Sequence, residues 1–271
     1  MNITTKVQVK GDGQKNMIRL ILLCVLTFPG CLYYYFKIRY VDKHDDKYDE
    51  ERRYKIVTHM MKTIVRFSFV KVEVEGLENL PEEGGYVLYP NHQGKFDSLA
   101  ISYCHKKPVT VVMDAKRSNL PFANELIMLT KGKRLDKDDY KQQMSVILEV
   151  IQEVKHGRRY IIFPEGRYDH NHNHVQELLP GSFKCSTKSK TPIVPVALID
   201  TYKPFELNSI RPVKVKVCYL KPIEYEQYKN MTTKEISDIV KDAIERKIKE
   251  VEDDRNEEFN VEHRDICDAK R

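Results

Sequence analysis

His92 and Asp97 stand five residues apart in the stretch VLYPNHQGKFDSLA, behind an apolar run and ahead of a helix-like one. An imidazole and a carboxylate so placed can act as a general base and the group that orients it. On one helix, residues five apart end up about 140° away from each other, so they share no face. The two therefore meet only if His92 sits in a turn before the helix and Asp97 near that helix's start. Gly94 suits such a turn, since glycine adopts backbone angles that other residues resist. A carboxylate at a helix N-terminus is also favoured electrostatically. The competing reading is that Asn91 and His92 only cap the helix, and spacing alone leaves both readings open. Lys95, inside the same stretch, is either a phosphate contact or a solvated turn lysine.

A second cluster lies in IIFPEGRYDHN, where Glu165 and Gly166 follow an apolar strand. In open α/β sheets that position faces the ligand-binding crevice. His170, His172 and His174 alternate just beyond. Extended, they would share a face and could ligate a metal. A polar loop is the simpler reading, because no fourth ligand spacing accompanies them.

The elements that must position these residues alternate between strand and helix patterns. VKVEVEG, YVLYP, VTVVMDA, RRYIIFPEG, TPIVPVALID and VKVKVCYL read as strands. SLAISYC and LPFANELIMLT read as helices, with KGKRLDKDD as a polar turn after the second. YKQQMSVILEVIQEVK is an amphipathic helix, capped by Asp138 or Asp139 and stopped at Gly157. From Thr232/Thr233 and Glu235, a capping-box-like start opens a helix with Ile236, Ile239, Val240, Ala243, Ile244, Ile248 and Val251 on one stripe. This alternation predicts an α/β fold: a mixed, largely parallel sheet flanked by helices. The expected divisions are a membrane-associated helical region over 1–69, an α/β domain over 70–251 and a charged, fraying tail over 252–271.

With 41% hydrophobic residues in 271, the chain can build a sizeable core, which argues against disorder throughout. The formal net charge is +6, and it is unevenly placed. Residues 1–71 hold 14 Lys and Arg against 7 Asp and Glu, while the remainder is nearly balanced. A basic N-terminal region suggests an anionic partner, and a phospholipid surface fits best. Nucleic acid is disfavoured, because the basic residues flank an apolar run and no recognition motif accompanies them. Leu20–Phe36 is that run: 17 uncharged residues, closed by Tyr33, Tyr34, Tyr35 and Phe36 and followed by Lys37 and Arg39. It reads as a membrane anchor at the lower length limit for a span, with the Pro29-Gly30 pair expected to kink or interrupt it. A cleaved signal peptide lacks its A-x-A site here, and a buried core helix is the other alternative. The cations that follow the run favour a cytoplasmic body. Residues 52–69 form a basic amphipathic segment, suited to an interface or to packing on the core. The six cysteines form no C-x-x-C and read as free thiols of a reducing compartment.

Taken together, the blocks resemble the glycerolipid acyltransferase family over roughly Val72 to Ile223. VEVEGLENLPEEGGYVLYPNHQGKFDS resembles its first block, and LTKGKRLD its second, with Arg134 at the arginine position. Phe163, Pro164, Glu165 and Gly166 resemble its third, and TPIVPVALI, with Pro195, its fourth. LLPGSFK resembles the link between those two. The resemblance implies transfer of a fatty acyl group from acyl-CoA or acyl carrier protein to the sn-2 hydroxyl of lysophosphatidate, giving phosphatidate at the cytoplasmic face of the cell membrane. It implies His92 as base, Asp97 as its orienter, and Arg134 with the Phe163–Gly166 turn around the glycerol phosphate. Glu165 would bond a substrate hydroxyl or orient Arg134, and Pro195 would shape a pocket. No metal or cofactor beyond the acyl donor is implied. One departure stands out. The family often continues with T-R-S, whereas Arg167, Tyr168 and Asp169 follow here. Arg167 then becomes the candidate phosphate contact, aimed differently, which keeps glycerol 3-phosphate or another lysophospholipid open as acceptor. A non-catalytic lipid-binding protein on the same fold is the remaining alternative.

Overall fold

A computed structural model of the chain describes residues 17–120, 123–207 and 211–268, with side chains from residue 25 to residue 257 within these. In chain order the elements are α1 (Met17–Lys43), α2 (Glu50–Phe67), β1 (Val70–Glu75), β2 (Val87–Pro90), α3 (Asp97–Cys104), β3 (Thr110–Asp114), α4 (Ala123–Thr130) and β4 (Lys133–Leu135). They continue with α5 (Tyr140–Lys155), β5 (Tyr160–Ile161), α6 (Lys184–Ser189), β6 (Ile193–Ile199), α7 (Lys203–Glu206), β7 (Val213–Tyr219), α8 (Tyr225–Tyr228) and α9 (Thr233–Asp268).

The strands form one sheet in the order β1-β7-β6-β2-β5-β3-β4, parallel throughout except between β6 and β7. The expected mixed, largely parallel sheet is therefore present. Its central strands are buried on both faces, as parallel sheets under helices are. β6 has no exposed residue. One face packs under α1 to α4 through Leu88, Val111, Val194 and Val196. The other packs under α5 and α9 through Val87, Tyr160, Ile193 and Ala197.

The sheet divides near its centre. β5 is two residues long, and its last partners are Leu88 of β2 and Val111 of β3. Beyond that point β3 pairs only with β4, starting at Val112, while β2 continues along β6 to Pro90. A gap opens between the two halves, just past Ile161.

Three expectations are corrected. KGKRLDKDD contains the edge strand β4 rather than only a turn; its three residues are too few and too polar to alternate visibly. α1 runs unbroken through Pro29. An internal proline costs about 3 kcal/mol, which the burial of Tyr34, Ile38 and Val41 offsets. Lastly, α9 carries past the expected boundary at 251, because Glu252 and Arg255 bond to Asn173 and Asp200 of the body. Among the described residues no helix is long and apolar enough to cross a membrane. Lys6, Lys10, Lys15 and the Cys24 and Cys267 side chains lie outside the described residues.

Candidate active site

β2 delivers the turn that holds His92. The chain leaves the sheet at Pro90, turns through residues 91–96 and enters α3 at Asp97. His92 Nδ1 lies 2.7 Å from Asp97 Oδ2. The same oxygen accepts the backbone N–H groups of Gln93 at 2.7 Å and Gly94 at 2.9 Å. Asp97 is fully buried, while the His92 side chain keeps 18% of its exposure. The histidine therefore sits in the turn and the aspartate at the helix start. Gly94, however, does not adopt a left-handed angle. The Asp97 carboxylate holds the turn instead.

The flanking residues fix this turn to the sheet. The Asn91 side chain accepts from Leu198 N at 2.7 Å and donates to Leu198 O at 3.0 Å, continuing the β2–β6 ladder. Asn91 thus braces the sheet and does not cap α3. Gln93 is fully buried and fully used. It donates to Asn173 Oδ1 and Leu198 O, and accepts from Thr201 N and Thr201 Oγ1.

The turn after β5 forms the second wall. Phe163 stacks on His92 with ring centroids 4.2 Å apart, and Tyr168 meets the imidazole edge-on at 4.8 Å. Gly166 takes φ +70°, a left-handed angle that favours glycine. Glu165 is buried, and its Oε1 accepts the His92 backbone N–H at 3.0 Å. Burial pushes the Glu165 carboxyl up to about 7; the Asp97 charge adds to this and the His92 N–H bond opposes it.

His92, Phe163 and Tyr168 border a cavity of about 910 Å³ that occupies the gap in the sheet. Its walls come from both faces. Ile64, Leu99 and Leu126 line it from the α1–α4 side, and Val146, Ile147 and Val150 from the α5 side. Val111 and Met113 point one way and Val112 the other, as successive strand residues must. The lining is mainly apolar, with Arg117 and Lys137 at its polar end. With Nδ1 committed to Asp97, Nε2 is the ring nitrogen left to act on a substrate proton.

This arrangement has known counterparts. Residues 71–199 match the family model described as Acyltransferase. The chain is 27% identical over 198 residues to the 1-acyl-sn-glycerol-3-phosphate acyltransferase of Escherichia coli strain K12, covering 72% of this chain and 79% of that one. It is 24% identical to the protein of that name in Haemophilus influenzae over 243 residues, covering 88% and 94%. Residues 71–199 thus resemble an acyltransferase domain. The fold matches the crystal structure of the Thermotoga maritima 1-acyl-sn-glycerophosphate acyltransferase with a TM-score of 0.71 at 21% identity, over 88% of this chain and 98% of that one.

Within this region the expected site residues separate. Phe163 and Gly166 line the cavity beside His92. Pro164 and Pro195 are buried; Pro195 pairs with Tyr89 across the sheet and does not reach the cavity. Glu165 neither meets Arg134 nor lines the cavity; its Oε1 accepts the His92 backbone N–H and its buried Oε2 has no hydrogen-bond partner among the described residues. Arg167 points to solvent and pairs with Asp169 at 3.0 Å. Arg134 is also outside the cavity lining; it donates to Ser118 Oγ, Asn119 Oδ1 and Asn124 Oδ1. The cations that do line the cavity include Lys95, Arg117 and Lys137. Lys137 donates to Gly166 O at 2.7 Å and approaches Asp114 at 3.5 Å. Lys137 was missed although it lies three residues past Arg134. Strand alternation within β4 and the turn after it decides which of the two cations faces the cavity. His170 and His172 turn to Glu206, at 2.8 and 3.3 Å. Among the described residues no group of three is placed to hold a metal.

Proposed function

We propose that the protein is a 1-acyl-sn-glycerol-3-phosphate acyltransferase, moving a fatty acyl group from a thioester donor to the sn-2 hydroxyl of lysophosphatidate. The observation that carries this reading is the buried Asp97 on His92 Nδ1, which leaves Nε2 beside an apolar cavity. The relatives' printed names support the same acceptor. Nε2 removes the proton of the acceptor hydroxyl as its oxygen attacks the thioester carbonyl carbon. The C–S bond breaks, and the departing thiolate takes the proton back from the imidazolium. The Asp97 charge stabilises that imidazolium and holds the ring in one tautomer. General-base assistance of this kind is worth ~10²–10⁴ in rate. The apolar slot through the sheet suits an acyl chain, and the chemistry asks for no metal or further cofactor.

The protein works at a membrane surface in this reading. α1 exposes Val25, Phe28, Leu32, Tyr33, Phe36 and Tyr40, with Arg39 among them and a half-buried Lys37 beside them. Aromatics beside cations suit the bilayer interface, and the body would lie on the cytoplasmic face. Replacing Phe28 and Phe36 with Ser is expected to lower co-sedimentation with anionic vesicles several-fold.

The function is tested with pure full-length protein and a panel of donors and acceptors. Acyl-CoA and acyl carrier protein thioesters are each offered with lysophosphatidate, glycerol 3-phosphate and lysophosphatidylcholine. Turnover on lysophosphatidate at least tenfold above the others is the expected result. A preference for another acceptor would reassign the substrate, and lipid binding without turnover on any pair would reject the enzyme reading.

A further inference from the structure

Arg117 and Arg134 occupy opposite ends of one small assembly. Arg134, on β4, spends its guanidinium on three neutral groups: Ser118 Oγ, Asn119 Oδ1 at 3.2 Å and Asn124 Oδ1 at 2.9 Å. Ser118 is fully buried and itself donates to Ala115 O. A cation that bonds three uncharged acceptors, two in the loop at 117–119 and one at the start of α4, contributes little charge pairing. What it does is hold that loop in one shape.

The loop so held carries Arg117. Its backbone N–H is fixed by Asp114 Oδ1 at 3.1 Å, beside the Lys116 N–H at 3.0 Å. Burial alone would raise the Asp114 carboxyl, but these N–H bonds and the Lys137 charge outweigh it and hold it below its ordinary value. The Arg117 side chain lines the cavity and lies over the Tyr168 ring, 5.0 Å from its centroid. No carboxylate pairs with that guanidinium among the described residues. Tyr168 in turn meets His92 at 4.8 Å. One ring therefore separates the guanidinium from the imidazole, with Lys137 on the Gly166 side of the same turn.

We propose that Arg117, stacked on Tyr168, is the specificity-determining contact for the acceptor's phosphate monoester, and that Arg134 is a positioning residue acting through it. This rests on the acyltransferase reading above. In lysophosphatidate a single methylene separates the carbon bearing the reacting hydroxyl from the phosphate ester oxygen. A hydroxyl at Nε2 thus places its phosphate about one ring's width away, where Arg117 stands. A planar guanidinium engages two phosphate oxygens at once and stacks on an aromatic face, which lysine does not do equally well. Arg117 is exposed and, among the described residues, is tethered by its backbone and by Tyr168, so its loss costs binding more than folding.

The test compares lysophosphatidate with a monoacylglycerol, the same hydroxyl without phosphate, in detergent micelles. Full-length wild type, Arg117→Ala, Arg117→Lys, Arg134→Ala, Arg134→Lys and the double alanine variant are assayed for KM and kcat. Acceptor Kd is measured without donor. Arg117→Ala is expected to raise KM and Kd for lysophosphatidate at least tenfold with kcat changed less than threefold, leaving monoacylglycerol binding unaltered. Arg117→Lys is expected to recover part of the loss. Arg134→Ala and Arg134→Lys should reproduce the pattern, and the double variant should be no worse than Arg117→Ala. The inference is overturned if Arg117→Ala weakens both acceptors equally or neither. Losses that multiply in the double variant would overturn the positioning role. Wild type that binds lysophosphatidate without acylating it would reject the acyltransferase reading, while the Kd comparison still decides the Arg117 assignment.

Discussion

The turn holding His92 and the turn holding Arg117 border the same cavity but are built in opposite ways. The first centres on eight consecutive residues, Asn91 to Ser98, braced by Asn173, Leu198 and Thr201: Asp97 Oδ2 takes three donors and Gln93 makes four bonds, while Asp97 Oδ1 has no hydrogen-bond partner among the described residues. The second is assembled from three separate segments, residues 114–119, 134–137 and 166–168. Its working cation is exposed and held by a ring and a braced backbone. The difference matches the tasks. A proton must be taken at one point, and misplacement there is costly. A phosphate presents several oxygens and tolerates a side chain that adjusts.

The contrast predicts a graded set of losses. Asp97→Asn keeps the size but removes the charge, and turnover is expected to fall about 10²-fold with acceptor Kd little changed; steady-state rates and donor-free binding separate these quantities. Gln93→Ala strips four hydrogen bonds from buried partners and is expected to cost about 2–3 kcal/mol of stability, measured by urea unfolding, together with a roughly tenfold loss of turnover. Should Gln93→Ala be neutral in stability, the dense network would have no structural weight and the comparison would fail.

Glu165 gives the smallest effect, and a pH-dependent one. Its carboxyl is raised from 4.5 to about 7 in the fold. The native state therefore holds this proton more tightly than the unfolded chain. The contribution to stability is fully present below the ordinary carboxylate range and is lost as pH rises through about 7. Glu165→Gln keeps an oxygen for the His92 N–H and removes the titration. Between pH 5 and 8 the wild-type Tm should decline relative to that of the variant, and parallel curves would contradict the assignment.

How much of this was legible follows the same division. Helix geometry gives the condition for His92 and Asp97 to meet, a turn ahead of the helix, because both residues belong to one local segment; spacing alone leaves helix capping open, and the later motif blocks favour the pair. The Asp139 cap of α5 and the Thr232–Glu235 box of α9 were legible for the same reason. The strand and helix alternation also carried the mixed parallel sheet. Arg134 turns to Ser118, Asn119 and Asn124 and not to the cavity, because a motif position names a residue type and not the direction of its side chain. That direction depends on the β3–β4 register, Met113 against Arg134, which no local pattern encodes. Arg117 carried no signal at all, since its relation to Tyr168 spans about fifty residues and two turns. The split in the sheet was hidden as well, because RRYIIFPEG reads as one strand while only Tyr160 and Ile161 pair.

The central claim is that His92 and Asp97 act as one unit, and a double-mutant cycle tests it most directly. Initial rates on lysophosphatidate are compared for wild type, His92→Ala, Asp97→Asn and the double variant, with binding of the acceptor as a control for folding. The account predicts a loss of about 10³-fold or more for His92→Ala, and less than threefold further loss when Asp97→Asn is added to it. Losses that multiply, or a His92→Ala variant within tenfold of wild type, would contradict it.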